Sequence, residues 1–102
     1  MPVIYHITSC NEWEAAFAKG SYAAPSLETE GFIHCCTRSQ VQGVLQRYFK
    51  GATDLVLLEI ATEKIQSRLV YEWSPAGADE FPHIYGPINT DAVISTGSPF
   101  NL

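Results

Sequence analysis

The order of helical and strand-like segments predicts an α+β fold, in a single domain that covers residues 1–102. Two helical patterns lie in the first half of the chain, and the second half is a succession of strand-like segments without the alternation of a βαβ pattern. With 102 residues, 46% of them hydrophobic and 12% aromatic, the chain can bury one modest core. A small domain with two main helices and a β core is therefore expected.

The first strand and first helix follow each other almost without a break. The β-branched and aromatic run from Val3 to Thr8 predicts a strand. Ser9 then starts a helix, with Glu12 three residues later completing a capping box, and Gly20 ends it. The following residues, 21–30, lack periodicity and are expected to be irregular.

The second helix has the strongest periodicity in the sequence. Strand character resumes from Phe32 to Cys36, and Thr37 with Gln40 forms a second capping box. Apolar residues then recur at helical spacing up to Gly51, at Val41, Val44, Leu45, Tyr48 and Phe49. A helix from this cap to Gly51 is predicted.

The second half of the chain is read as strands and turns. Residues 55–61 form a nearly continuous apolar run, which is typical of a central strand that is covered on both faces. A short turn, an alternating strand, a loop rich in small residues and two further strands complete the fold, at residues 62–65, 69–73, 74–80, 81–85 and 92–96.

Composition argues against several classes of protein. The net charge is −5 and basic residues form no run, so a nucleic-acid coat role is not expected. The sequence contains neither a membrane-spanning apolar stretch nor a signal peptide, and the three cysteines are a poor disulfide framework. We expect a cytoplasmic protein without a membrane association, and the oligomeric state is left open.

The three histidines are the main candidates for a functional site. His6, His34 and His83 each lie in an apolar or aromatic strand-like run. Because side chains alternate along a strand, each imidazole shares a face with apolar or aromatic neighbours, in the rows Ile4-His6-Thr8, Phe32-His34-Cys36 and Phe81-His83-Tyr85. Three such rows could wall one cleft. The alternative is that each imidazole is half-buried and bonded to the backbone.

Two other chemistries are open from the residues alone. Three neutral imidazoles could hold zinc or iron, although no HxH or HExxH pair supports a metal site. Cys36 precedes the cap of the second helix and shares a face with His34, so its thiol pKa could be lowered. Buried cysteines more often act as small hydrophobes.

The start of the second helix is a candidate anion site. Free amides at Thr37, with Arg38 beside them, could bind a phosphate, although an ordinary cap would look the same. Arg38, Arg47 and Lys50 all fall on the predicted helix, where they could serve one phosphate-bearing ligand or simply solvate the helix face.

Four segments of the sequence form an ordered set. They are Ile4-Tyr5-His6-Ile7-Thr8, Pro25-Ser26-Leu27 leading into Gly31-Phe32-Ile33-His34-Cys35, residues 54–60, and Phe81-Pro82-His83-Ile84-Tyr85-Gly86-Pro87. Together they closely resemble the DUF952 family of uncharacterised bacterial and plant proteins. The resemblance implies a small relative of the ADP-ribosyltransferase fold, with a split antiparallel β core and two helices. The resemblance also marks six residues as the site, namely His6, Ser26, His34, Thr37, His83 and Tyr85.

In the ADP-ribosyltransferase fold, a first-strand His or Arg holds the ribose on the nicotinamide side, and a Ser or Tyr on the second strand follows. His6 fits the first role, and Ser26 or His34 the second. The late Glu that often orients the acceptor has no obvious counterpart, because His83 occupies that position.

The function expected from these observations is binding of NAD or a related nucleotide, with ADP-ribosyl or phospho transfer. In it His6 donates to ribose hydroxyls, Tyr85 stacks on a ring, and His34 or His83 transfers protons. Ser26, Thr37 and Arg38 complete the ligand-binding set. The alternatives are a non-catalytic module that binds a small ligand in the same cleft and, third, a metal-dependent hydrolase.

Overall fold

The computed structural model describes residues 2–101. Its α-helices are α1 (Cys10–Lys19), α2 (Pro25–Thr29) and α3 (Val41–Tyr48), with short 3-10 turns at Arg38–Gln40, Thr62–Lys64, Thr90–Ala92 and Pro99–Asn101. Its strands are β1 (Val3–Ser9), β2 (Ser21–Tyr22), β3 (Ile33–His34), β4 (Leu55–Ala61), β5 (Arg68–Ser74), β6 (Asp79–Tyr85), β7 (Ile88–Asn89) and β8 (Val93–Gly97). The predicted α+β class, with two main helices, is confirmed.

The strands form three antiparallel sheets, and the two larger ones share core residues. One sheet has the order β1-β4-β8, another has the order β3-β6-β5, and β2 pairs with β7. A bridge between Tyr5 and Cys36 joins β1 to the segment after β3, through N–H···O bonds of 2.7 and 2.8 Å. Beyond Tyr5, the strand β1 is paired within residues 2–101 only with β4, so a space opens beside it between the two three-stranded sheets.

The core consists of two apolar clusters on opposite faces of the β1-β4-β8 sheet. Because side chains alternate along a strand, Leu58 and Ile60 of β4 pack on one face, whereas Leu57 packs on the other. Tyr5 and Ile7 lie in the cluster that includes α3 residues, as the alternation of β1 predicts. The prediction that residues 55–61 form a strand covered on both faces is confirmed.

The signals at the ends of the first helix are also confirmed. Ser9 is the N-cap, and its hydroxyl accepts a 3.1 Å bond from the Glu12 N–H. The Glu12 carboxylate does not close the capping box on the backbone, since it accepts from the hydroxyls of Thr8 and Ser9. Gly20 ends the helix with a φ of 82°, a left-handed conformation that favours glycine.

Three local predictions are wrong. Residues 21–30 are not irregular, because they contain β2 and α2. The strand expected over residues 32–36 is limited to Ile33–His34 and the isolated bridge. The helix expected from Thr37 to Gly51 divides into a 3-10 turn and α3, so Arg38, Arg47 and Lys50 do not share one helix.

Within residues 2–101, no helix is both long enough and apolar enough to cross a membrane.

Candidate functional site

A cavity of about 570 Å³ lies beside the open edge of β1, where the two sheets separate. All three histidines line it, together with Ser26. Its other walls come from β1, from the end of α3, and from the segment around α2, with lining residues that include Tyr5, Ile7, Thr8, Glu12, Tyr22, Pro25, Glu30, Cys36, Val44, Arg47, Tyr48, Leu55 and Phe81. The three histidines thus converge on one cavity.

His6 is buried, and both of its ring nitrogens are engaged inside the protein. Nδ1 lies 2.5 Å from the backbone oxygen of His34, and Nε2 lies 2.8 Å from the Tyr22 hydroxyl. A carbonyl oxygen can only accept, so Nδ1 carries the proton and Nε2 accepts from Tyr22. Burial lowers the pKa of His6 to about 4, which keeps the ring neutral at pH 7.

Hydrogen bonds near His6 also join β1 to β2 and to the start of α1. Tyr22 is buried, and desolvation raises the pKa of its hydroxyl to about 12, so it stays a donor. Thr8 donates a 3.1 Å bond to the carboxylate of Glu12. This network holds β1, β2 and α1 together and leaves His6 without a free ring nitrogen for a ligand.

His83 is also buried, but among the described residues only one of its ring nitrogens has a hydrogen-bond partner. Nδ1 lies 2.7 Å from Oε1 of Glu72, and the Tyr85 hydroxyl donates to the same oxygen at 2.5 Å. These hydrogen bonds, from Tyr85 and then from His83, lower the pKa of the Glu72 carboxyl, so it is a carboxylate at neutral pH. The ring of His83 stacks on Phe32 with centroids 4.1 Å apart, which fixes its plane.

His34 lies at the mouth of the cavity, with about half of its side chain exposed. Its Nε2 pairs with the Glu30 carboxylate at 3.0 Å. Its ring meets the rings of Phe32 and His83 edge-on, at centroid distances of 4.8 and 5.3 Å. His34 and His83 are direct partners across β3 and β6, so a ligand can reach both from one side.

The predicted ligand-binding residues divide into two groups. Ser26 lines the cavity, and its hydroxyl donates a 2.8 Å bond to the Phe32 carbonyl, which fixes the segment before β3. Thr37, Arg38 and Tyr85 are not among the lining residues. Arg38 is exposed on its 3-10 turn, and the Tyr85 hydroxyl donates a hydrogen bond to Glu72.

Arg47 is the lining residue that carries a full positive charge. It lies exposed near the end of α3, with its guanidinium 5.8 Å from the centre of the Tyr48 ring and 5.9 Å from that of Phe81. It forms no salt bridge within residues 2–101. Its charge is therefore available to an anionic group at the rim of the cavity.

The thiol hypothesis for Cys36 is not supported by its surroundings. Cys36 is buried, and desolvation raises the pKa of its thiol to about 12, whereas the hypothesis requires a lowered pKa. Cys35 points to the opposite cluster, and burial also raises its pKa. Both cysteines therefore behave as small hydrophobic residues.

Within residues 2–101, no three His, Cys, Asp or Glu side chains lie close enough together to hold a metal ion. The acidic residues near the histidines, Glu30 and Glu72, each bond to one imidazole instead.

Sequence reasoning missed two polar partners. Tyr22 lies in a stretch that was expected to be irregular. Glu72 is not among the site residues expected from the sequence. The antiparallel hairpin β5-β6 places Glu72 opposite Phe81, which lies two residues before His83 and on the same face of the strand. Pairing the two strand-like segments across their loop would have brought Glu72 and His83 together.

Comparison with known proteins gives a family and a close structural relative. The model of the family DUF952, described as a protein of unknown function, matches residues 7–96. The crystal structure of CC0527 from Caulobacter crescentus is 34% identical, covers 94% of this chain and 84% of its own, and superposes with a TM-score of 0.85. The solution NMR structure of CC0527 gives 32% identity, 95% and 84% coverage, and a TM-score of 0.75. No curated protein matches.

Proposed function

The chain belongs to the DUF952 family of proteins of unknown function, and we propose that it binds NAD or a related nucleotide in the histidine-lined cavity and transfers an ADP-ribosyl or phosphoryl group there. The observation that carries the proposal is one cavity at the edge of β1, lined by three imidazoles and by Arg47, a cation that has no carboxylate partner within residues 2–101.

The size and lining of the cavity suit a nucleotide. Its volume of about 570 Å³ falls within the range of small-molecule sites, which are mostly apolar with a few placed polar groups. Aromatic side chains on its walls offer ring faces for a base or a nicotinamide ring, as Tyr48 and Phe81 do near Arg47.

The charges on the cavity wall are separated in a way that fits NAD. Arg47 lies on the side of β1 that α3 covers, near the cluster that contains Ile7. The carboxylates of Glu12 and Glu30 line the other side, close to Thr8 and His34. Oxidised NAD carries a cationic nicotinamide ring and anionic phosphates, so the ring suits the carboxylate side and a phosphate suits Arg47.

In the proposed ADP-ribosyl transfer, an acceptor hydroxyl or amine attacks the ribose carbon that bears nicotinamide. The new bond forms as the carbon–nitrogen bond to nicotinamide breaks, and nicotinamide leaves with the bonding electron pair. The proton lost by the acceptor passes to an imidazole of the cavity. His34 and His83 can accept it, whereas both nitrogens of His6 are already bonded within the protein.

The proposal extends to fold ancestry and location. The separation of the sheets beside β1 is the feature expected of a relative of the ADP-ribosyltransferase fold, whose ligands would occupy that gap. The three cysteines are all free thiols, which suits the reducing cytoplasm.

Nuclear magnetic resonance with the ¹⁵N-labelled chain tests the binding step. NAD, ADP-ribose and AMP are titrated separately while amide shifts are recorded. We expect shifts for residues that line the cavity, around His6, His34 and His83, and none on the far face at β8. Absence of shifts for all three ligands at millimolar concentration contradicts the proposal.

Two arginine variants separate a role in binding from a general effect of charge. Arg47→Gln should weaken binding of ADP-ribose about tenfold, because a charge-assisted contact to phosphate is lost. Arg38→Gln is the matched control, since Arg38 is exposed outside the cavity, and it should bind like the wild type. Equal losses in both variants contradict a phosphate site at Arg47.

A second candidate function is ligand binding without catalysis. The observation that favours it is the complete engagement of His6, the residue that the family resemblance assigns to the ribose. Incubation with NAD decides between the two, with nicotinamide release followed by chromatography. Release by the wild type that His83→Gln abolishes supports transfer, whereas binding of intact NAD without release supports the non-catalytic function.

A further inference from the structure

The three imidazoles of the cavity differ in which nitrogens remain available. His6 has none, as both are bonded within the protein. His34 is exposed and paired through Nε2 with a carboxylate at the mouth. His83 is buried, and in the part of the chain that the structure describes only its Nδ1 has a hydrogen-bond partner. Of the two imidazoles that can accept a proton, His34 and His83, it is His83 that is buried, so neighbouring side chains rather than solvent set which of its nitrogens is protonated.

The Glu72 carboxylate decides which nitrogen of His83 carries the proton. An ionised carboxylate is only an acceptor, so the 2.7 Å contact requires a proton on Nδ1. In the neutral ring Nε2 is then an unprotonated acceptor. It makes no hydrogen bond within residues 2–101, and no buried side-chain nitrogen in that range lacks a partner. Nε2 is thus accessible, and the side chain lines the cavity.

The carboxylate is itself held in place. The Tyr85 hydroxyl donates to the same oxygen, Oε1, at 2.5 Å. Arg68 lies over the Tyr85 ring, with its guanidinium 5.7 Å from the ring centre. Phe32 stacks on the His83 ring from the β3 side. The ring plane of His83 is therefore fixed by Phe32, and the Glu72 carboxylate by Tyr85.

From this geometry we infer that Glu72 is a positioning residue, which holds the proton of His83 on Nδ1 and presents Nε2 to the cavity as its proton acceptor. When a bound hydroxyl or amine gives its proton to Nε2, the ring becomes an imidazolium that the carboxylate stabilises, and Glu72 itself stays ionised. The inference deepens the proposed function, because it assigns the base at that site.

The first measurement is the tautomer of His83 in the full chain, which needs no ligand. With ¹⁵N-labelled histidine, long-range correlation spectra at neutral pH distinguish a protonated Nδ1 from a protonated Nε2. We expect the Nδ1–H form in the wild type. In Glu72→Leu, which removes the acceptor at a half-exposed strand position, the Nε2–H form should predominate. A wild-type Nε2–H form, or the same tautomer in both proteins, overturns the inference.

The second measurement is the reactivity of Nε2. Diethyl pyrocarbonate modifies unprotonated imidazole nitrogens, and peptide mass spectrometry reports each histidine separately. We expect modification of His83 to slow several-fold in Glu72→Leu. Glu30→Leu is the matched control, since it removes the carboxylate on His34 and leaves Glu72 in place. An unchanged His83 rate in Glu72→Leu contradicts the role of Glu72.

Failure of Glu72→Leu to fold, or of nucleotides to bind, still leaves an interpretable result. If Glu72→Leu does not fold, the tautomer of the wild type still decides, because an Nε2–H form is incompatible with the inferred role. If nucleotides do not bind but the Nδ1–H form is present, the nucleotide proposal fails and the assignment of the base stands.

Discussion

Burial of His6 should make the protein less stable as the pH falls from 7 to 5. The pKa of His6 is lowered from 6.5 to about 4, chiefly by desolvation. A group whose pKa is lower in the folded state binds its proton more readily when the chain unfolds. Its contribution to stability is therefore fully present above pH 6.5 and is lost as the pH falls toward 4.

The size of the effect follows from these two values. Between pH 7 and pH 5 the free energy of unfolding should fall by about 2 kcal/mol on account of His6 alone. The carboxyls of Glu72 and Asp79 gain their protons below this pH range, because their pKa values are lowered from 4.5 and 3.8. The contribution of His6 to the pH dependence of stability can thus be measured apart from that of the carboxyls.

Urea unfolding of the wild type and of His6→Gln, followed by tryptophan fluorescence at both pH values, measures this loss. The other two histidines are present in both proteins, so subtracting one pH dependence from the other leaves the part that belongs to His6. An equal pH dependence in the two proteins refutes the reasoning. If the variant does not fold, titration of the His6 ring resonances in the wild type replaces it, and a midpoint near 6.5 refutes the burial argument.

Three further predictions concern packing and thiol chemistry. Tyr22→Phe should cost about 1–3 kcal/mol in urea unfolding, because Nε2 of buried His6 loses its donor. Gly77→Ala should cost about 1–3 kcal/mol by the same measurement, since a Cβ there would lie 2.5 Å from the Phe81 ring. Cys36 should resist iodoacetamide at pH 8 in the folded protein and react in urea, as mass spectrometry can follow, because burial raises its pKa to about 12.

Each of these predictions has a control. Tyr71→Phe removes a hydroxyl from an exposed tyrosine and should change stability by less than about 0.5 kcal/mol. Gly97→Ala adds a Cβ with no atom within 4 Å and should be equally mild. A loss in either control as large as in its partner argues against the hydrogen bond or the clash. Rapid alkylation of the folded protein at Cys36 would contradict its burial.

The parts of the fold that the sequence predicts well are those specified by neighbouring residues. The cap at Ser9, the end at Gly20 and the continuous apolar run of β4 depend on local geometry, and all three are present. The strand Ser21–Tyr22 was missed because two residues carry no periodicity. It exists only through pairing with Ile88–Asn89, far along the chain.

The candidate site also combines features that neighbouring residues set with features that depend on distant partners. Strand alternation was enough to expect the histidines on walls of one cleft, since it fixes which face a side chain occupies. It cannot say which nitrogens are bonded, because that depends on partners from other strands. The partner of His6 comes from the missed strand β2, and the partner of His83 comes from β5.

Three residues of one type in similar apolar runs thus differ in chemistry because their partners differ. A hydroxyl and a carbonyl occupy both nitrogens of His6, so it serves the structure and its protonation is disfavoured. A carboxylate occupies one nitrogen of His83 and leaves the other accessible. An imidazole can act as a base only through a free nitrogen, so replacing His6 should chiefly change stability, whereas replacing His83 should chiefly change the reaction in the cavity.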